Sequence, residues 1–84
     1  MPFPSADPLT DLAHAPSFRS VEIRRFATEP LRRYCAGFGL CDGDRLRSYG
    51  GTPTHLLVET ETGEGLVIAR AVAERIIVEL KRDS

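Results

Sequence analysis

The sequence has no tryptophan, only two cysteines and no long apolar run. A membrane-spanning helix requires about 20 consecutive apolar residues, and apolar stretches such as 65–69 are far shorter. Cys35 and Cys41 are too few for a disulfide-stapled secreted scaffold, and their spacing is not the Cys-x-x-Cys of many redox and zinc sites. The first residues, Met-Pro-Phe-Pro-Ser, lack the basic start and apolar centre of an export signal. These absences predict a cytoplasmic protein without direct membrane insertion.

A large net charge is also missing, because 11 Lys and Arg residues oppose 12 Asp and Glu residues. Domains that bind nucleic acids are usually strongly basic, so the pI of about 6.1 argues against that class. The segment 19–47 is nevertheless locally basic, and four acidic residues oppose its seven arginines. These are Arg19, Arg24, Arg25, Arg32, Arg33, Arg45 and Arg47. A local basic face is therefore open as an interaction surface.

The 84 residues suffice for one domain with a thin hydrophobic core. Four of the six prolines fall within residues 1–16. Proline fixes φ and removes a backbone donor, which disfavours regular structure. We therefore predict a loose N-terminal arm over residues 1–16 and a folded domain over residues 17–82.

The folded part begins with a strand followed by a short helix. Val21 and Ile23 alternate with charged residues, as in a half-buried strand. Thr28 is a suitable N-cap and Pro30 suits a first helical turn. Apolar residues then recur at helical spacing, at Leu31, Tyr34, Cys35 and Phe38. Gly39 can end this helix in a left-handed conformation, and Gly43 follows in a tight turn.

Four more short strands are predicted after the helix. They cover residues 45–49, 56–59, 66–68 and 76–80, and an alanine-rich helical turn precedes the last one. The connections are too short for the crossovers of a parallel sheet, which favours an antiparallel one. A small antiparallel sheet gains from closure because closure removes unpaired edges. The predicted fold class is mainly β: a small, partly open antiparallel barrel of about five strands with one short α-helix after the first strand.

A set of glycine and aliphatic positions in this sequence resembles the FeoA family. Leu31-Arg32-Arg33 leads to Phe38-Gly39-Leu40, then to Gly43 and a strand beginning near Leu46. The segments 66–70 and 76–78 are similar to the closing strand and final strand of that family. Cys41-Asp42 stands where Xaa-Pro is usual, and Ala15-Pro16-Ser17 replaces the usual glycine-bearing turn. The resemblance covers roughly residues 9–80.

The resemblance implies an SH3-like barrel with an accessory role in ferrous iron transport. The implied partner is the cytoplasmic GTP-binding region of a FeoB-like transporter, which places the protein at the inner face of the membrane through that partner. It implies a non-enzymatic regulatory module that supports Fe²⁺ uptake. Two alternatives stay open: a module related to the SH3-like C-terminal domain of metal-dependent repressors, and a small RNA- or ribosome-associated barrel.

The residues that carry chemistry do not form a catalytic set. A reactive cysteine requires a nearby base, which only His14 and His55 could supply, and Cys35 lies on the apolar stripe of the helix. Cys41, His55 and a neighbouring aspartate would suit a borderline cation such as Fe²⁺, but they lack the compact spacing of metal motifs. We expect no enzyme, no cofactor and at most transient contact with Fe²⁺.

Five residues are predicted to dock on a partner. Arginine and tyrosine are enriched among the residues that dominate binding energy at interfaces. Arg32 and Arg33 point away from the apolar stripe of the helix, and Arg45, Arg47 and Tyr49 share one face of a strand. The alternative is a solvated charged surface without a partner. Self-association through an exposed edge strand also stays open.

Overall fold

The computed structural model describes residues 9–81, and every statement below refers to that part of the chain. Its strands are β1 (Leu9–Asp11), β2 (Ser20–Phe26), β3 (Arg45–Gly51), β4 (His55–Thr60), β5 (Gly65–Ala69) and β6 (Ile76–Leu80). Its helices are α1 (Glu29–Ala36) and the single turn α2 (Arg70–Ala73), with one 3-10 turn at Leu12–His14. The predicted fold class is confirmed: the chain is mainly β and SH3-like.

The six strands form one antiparallel sheet in the order β1-β6-β2-β3-β4-β5. β2, β3, β4 and β5 are neighbours in the sheet in chain order, with α1 in the connection between β2 and β3. The chain then returns through α2, and β6 lies between β1 and β2. The outermost strands of the sheet are therefore β1 and β5.

The sheet has one strand more than the sequence predicts, and this strand lies in the segment 1–16. Leu9–Asp11 pairs with β6, and the following 3-10 turn buries Leu12 completely. The predicted loose arm is therefore wrong for residues 9–14. Three residues are too few to show strand alternation, and β1 forms because the free edge of β6 supplies its partner. The part of the arm before Leu9 lies outside the described residues.

Helix α1 begins as the sequence predicts, because the Thr28 hydroxyl accepts a hydrogen bond from the Leu31 amide at 3.2 Å. Its regular part ends at Ala36, and the chain then leaves through a Schellman motif. The Leu40 amide donates to the Cys35 carbonyl and the Gly39 amide donates to the Ala36 carbonyl. Gly39 has φ of 87°, which the motif requires.

The turn after α1 fastens the helix to β2. The Gly43 amide donates to the Ile23 carbonyl at 2.7 Å, and the Ile23 amide donates to the Asp44 carbonyl at 2.8 Å. β2 has a register irregularity between Ile23 and Arg25 at this point. A bulge exposes backbone groups that the regular ladder would use, so the turn supplies the missing partners.

The core lies between the inner faces of the strands, α1 and the 3-10 turn. Its buried members are apolar and come from every part of the described chain: Leu12, Val21, Ile23, Phe26, Leu31, Cys35, Leu40, Leu46, Leu56, Val58, Ile68, Ala73, Ile76 and Val78. The second helix adds Ala73, whose small side chain lets α2 approach the sheet. Among residues 9–81, no helix has the length and apolar content needed to cross a membrane.

Candidate protein docking surface

Arg45, Arg47 and Tyr49 lie on the outer face of β3. The strand alternates them with Leu46 and Ser48, both of which are buried on the inner face. This separation follows from the two-residue period of a strand. The predicted common face of the three side chains is therefore present in the structure.

Tyr49 and Arg47 are joined to Phe18, which the sequence did not indicate. The rings of Phe18 and Tyr49 meet edge to face, with centroids 5.5 Å apart, and an Arg47 Nη donates to the Phe18 carbonyl at 3.3 Å. Phe18 is 61% exposed and has φ of 66°, in the left-handed region that a bulky residue rarely adopts. Its amide donates to the Ser48 carbonyl at 2.6 Å, which holds this conformation.

The Tyr49 hydroxyl has a fixed partner on the next strand. It donates to the Glu59 carboxylate at 2.8 Å. This hydrogen bond is the main cause of a raised Tyr49 pKa, and some loss of solvent contact and the negative charge of Glu59 add to it. The phenol therefore stays protonated and can donate a hydrogen bond at neutral pH.

A network of opposite charges crosses the outer face of β2 and β6. Arg24 contacts Glu79 at 2.6 Å, and Lys81 contacts both Glu79 and Glu22 at 3.5 and 3.4 Å. Arg45 joins the network through Glu22 at 3.9 Å. The Arg45 side chain is 55% exposed, and an ion pair with such an exposed arginine contributes only about 0.2–1 kcal/mol. Arg45 can therefore change partners at little cost.

Arg32 and Arg33 occupy a different surface, on α1. Arg32 pairs with Asp42 through Nε at 3.0 Å and with Glu29 at 3.2 Å, and Arg33 lies 3.7 Å from Glu29. The Asp42 hydrogen bond, followed by the charges of Glu29 and Asp42, raises the pKa of Arg32 above its ordinary value. Asp42, in the turn after α1, thus supplies a carboxylate to the helix.

The structure places the five predicted residues on two surfaces with different neighbours. The helix pair borders a depression that also contains Leu40, Cys41 and Asp42. Arg45 and Arg47 border another depression, and two of its lining residues are Ser20 and Glu59. We call Phe18, Arg45, Arg47, Tyr49 and Glu59 the strand surface. It combines an exposed aromatic ring on a strained backbone with arginine and tyrosine, which distinguishes it from the helix pair.

The cysteines and histidines do not converge on one site. Cys35 is buried, and burial raises the pKa of its thiol. Cys41 is exposed, and its backbone amide donates to Asp44. His55 contacts the Thr54 hydroxyl through Nδ1 at 2.9 Å. Within residues 9–81, no three side chains of the metal-binding types His, Cys, Asp and Glu are grouped closely enough to hold an ion.

Comparison with known families gives one clear result. The family model described as the FeoA domain matches residues 10–80. No curated protein sequence matches the chain at a significant level.

Several solved structures share this fold. The crystal structure of an iron uptake regulatory protein, FeoA, has a TM-score of 0.77 at 14% identity and covers 88% of this chain and 100% of its own. The solution structure of FeoA from Chlorobium tepidum has a TM-score of 0.73 at 27% identity, covering 84% and 70%. A manganese-dependent transcriptional repressor has a TM-score of 0.79 at 20% identity, covering 92% of this chain but 39% of the repressor.

Proposed function

Because this chain belongs to the FeoA domain family, we propose that it is a non-enzymatic accessory module that docks on a ferrous iron transporter. The partner in this proposal is the cytoplasmic GTP-binding region of a FeoB-like protein, and the result of docking is support of Fe²⁺ uptake. The family match over residues 10–80 is the observation that carries the proposal. The protein then works on the cytoplasmic side of the membrane, held there by its partner.

The strand surface supports docking through its composition and its strain. Tyrosine and arginine are over-represented among the residues that dominate interface energies. Phe18 holds a costly backbone conformation while its ring stays in solvent, and strained residues cluster at functional sites. A ring that is exposed in the free protein gains contact area when a partner covers it. We therefore place the centre of the interface at Phe18, Arg47 and Tyr49.

Arg32 and Arg33 serve as the rim of the same interface in this proposal. Their pairs with Glu29 and Asp42 are exposed and weak, so a carboxylate of the partner can replace them. Rim charges mainly change association rates and salt dependence, whereas central contacts change dissociation. This difference separates the two surfaces experimentally.

The test is calorimetric titration of the chain into the GTP-binding region of the transporter from the same organism. Replacing Arg47 and Tyr49 together with alanine should weaken binding by at least about tenfold. The matched control is Arg75→Ala, an exposed arginine outside both surfaces, which should bind like the parent protein. Absence of any binding by the parent protein would overturn the proposal.

The helix pair requires a separate variant. Arg32→Ala with Arg33→Ala should slow association and flatten the salt dependence, while the dissociation rate changes little. An amide NMR titration with and without Fe²⁺ gives an independent comparison. Chemical shift changes at Cys41 and His55 that appear with Fe²⁺ alone, without the transporter region, would favour a metal carrier over a docking module.

The fold similarity to the repressor favours one alternative. The chain would then be a free-standing relative of the C-terminal domain of metal-dependent repressors, acting on a separate regulator. Binding to a DNA-reading regulator, together with no binding to the transporter region, would support this reading. The same double variant of the strand surface can be tested against each partner, and it should weaken binding only to the partner that this surface contacts.

A further inference from the structure

The outermost strand β5 has a free edge without the usual protection against pairing. Its sequence, Gly65-Leu-Val-Ile-Ala69, contains no charge and no proline. Natural proteins protect such edges with charges, prolines, bulges or very short strands. The opposite edge strand β1 follows this rule, because it is three residues long and contains an aspartate. Within residues 9–81, the β5 edge is therefore open to another strand.

The backbone hydrogen bonds to β4 show which groups of β5 face outward. The Arg70 amide donates to the Thr54 carbonyl and the Thr60 amide donates to the Glu64 carbonyl, both at 2.9 Å. Even-numbered residues thus bond to β4. Because strand residues alternate in direction, Gly65, Val67 and Ala69 present their amides and carbonyls to the free edge.

An apolar groove runs beside this edge. It lies between β5 and the last part of α1, and its lining includes Leu40 and Leu66. Tyr34 and Phe38 form the far wall, with ring centroids 4.8 Å apart in an edge-to-face contact. They are 57% and 46% exposed, and Val67 on the near side is 68% exposed. The groove therefore offers apolar contacts beside free hydrogen-bonding groups.

We propose that β5 pairs antiparallel with β5 of a second copy of this chain, with Val67 opposite Val67. In this register Gly65 faces Ala69 of the second copy, and the outward-facing residues form three opposed pairs. Each such pair exchanges two backbone hydrogen bonds, so about six form. Val67 and its cross-strand neighbour Leu57 align with the same two residues of the second copy, and together they form one apolar row across the two-fold axis of the dimer. This self-association goes beyond the proposed docking on the transporter.

The charges at the two ends of β5 favour β5 of a second copy as the strand that pairs with this edge. Glu64 precedes the strand and Arg70 follows it, and the chosen register places Glu64 opposite Arg70 of the second copy at both ends. Among residues 9–81, neither side chain has an ion-pair partner, while Arg70 is anchored by the carbonyls of Thr52 and Ala13. A parallel arrangement would oppose like charges.

The area available predicts a weak dimer. Covering the exposed parts of Tyr34, Phe38 and Val67 with a neighbouring strand removes roughly 300 Å² from each copy, taking 150–250 Å² for an aromatic side chain. Specific interfaces usually bury about 800 Å² per partner. The dissociation constant is therefore expected between about 10 and 1000 µM.

The first test is amide hydrogen exchange and chemical shift mapping of the full chain from about 20 µM to 2 mM. The amides of Val67, Ala69 and Gly65 should become protected as the concentration rises, whereas those of Leu66 and Ile68 should be protected throughout. This alternation is specific for pairing at the free edge. A concentration-independent pattern with a monomer at 2 mM in sedimentation would overturn the proposal.

The second test uses charge at the edge. Val67→Lys places two like charges opposite each other and should raise the dissociation constant at least about tenfold. The matched control is Leu9→Lys, an equally exposed position on the other edge strand, which should leave the dimer intact. Glu64→Lys should weaken the dimer and Glu61→Lys, with the same charge change in the same hairpin, should not. Circular dichroism confirms that each variant is folded.

Two outcomes contradict this arrangement. A dimer disrupted by Leu9→Lys and not by Val67→Lys forms through β1. Protection of Val67 and Ala69 that appears only when the transporter region is added assigns the β5 edge to an extended segment of the partner. Because the docking test uses variants of the strand surface, failure of one proposal does not decide the other.

Discussion

Single residues carry much of the geometry in the turn between α1 and β3. Gly43 has φ of 89°, and its amide reaches the bulge of β2. An L-residue in this conformation costs about 1–2 kcal/mol because its Cβ approaches the following carbonyl oxygen. No heavy atom outside the turn lies within 4 Å of a Cβ built at this glycine. The backbone conformation, and not space, therefore selects glycine here.

We predict that Gly43→Ala lowers the free energy of unfolding by about 1–2 kcal/mol. Urea denaturation followed by circular dichroism measures this change. Gly65→Ala is the control, since its added Cβ meets only a Leu57 methyl at 3.9 Å and its φ is ordinary. Its effect should stay within about 0.5 kcal/mol. Equal losses in both variants would show that conformation does not select Gly43.

The two cysteines should differ in reactivity. Cys41 is exposed, whereas Cys35 is buried and burial raises the pKa of its thiol. The thiolate is the reactive form, so iodoacetamide at pH 8 should modify Cys41 at least about tenfold faster. Peptide mapping by mass spectrometry gives both rates, and the ratio should fall towards one in urea. Comparable rates in the native protein would contradict the burial of Cys35.

The raised pKa of Cys35 also has a pH consequence with a definite sign. Burial favours the neutral thiol in the folded state, so the contribution of Cys35 to stability is fully present below the ordinary thiol pKa. It is lost as the pH rises through the raised pKa of Cys35. Alkaline conditions therefore destabilise the fold at this residue, whereas acid leaves it unaffected.

At the scale of elements, α1 depends on its cap. The helix has eight residues, and isolated helices of that length are marginal in water. Thr28→Ala removes the acceptor for the Leu31 amide and should lower the free energy of unfolding by about 1 kcal/mol. Thr28→Ser keeps the hydroxyl and should stay within about 0.5 kcal/mol of the parent protein. Thermal unfolding of the three proteins in parallel provides the comparison, and an equal loss in both variants would reject the cap.

Sequence pattern predicts elements when they are long enough to show a period. β2 and β6 were visible from alternation, and α1 from Thr28, Pro30 and its apolar spacing. β1 was missed because three residues show no period and its partner is distant in sequence. The pairing of Arg32 with Asp42 was missed for a similar reason, since it depends on where the turn returns to the helix.

The strand surface, too, can be predicted from the sequence only in part. Alternation along β3 predicts that Arg45, Arg47 and Tyr49 share a face. It does not predict Phe18, because nothing in a sequence indicates that a phenylalanine will adopt positive φ. Nor does it predict Glu59, which the register of β3 and β4 places opposite Arg47 and within reach of Tyr49.

For the whole molecule, the N-terminal segment is part of the core. Leu12 is completely buried, while Leu9 on the neighbouring strand is 62% exposed. Leu12→Ala should therefore lower the free energy of unfolding by about 2–5 kcal/mol, and Leu9→Ala by less than about 1. Chemical denaturation of both variants measures the difference. Similar small effects in both variants would show that residues 9–14 behave as a loose arm.

The position of β6 between β1 and β2 determines when the chain can fold during synthesis. Both earlier strands have β6 as a sheet neighbour, and β6 contributes Ile76 and Val78 to the core. At about 5–20 residues per second, the ribosome releases β6 seconds after β2. Until then the nascent chain holds strands whose partner has not been made. The sheet is thus completed only when β6 is available, and a pause in translation before β6 prolongs the exposure of unpaired strands to chaperones and proteases.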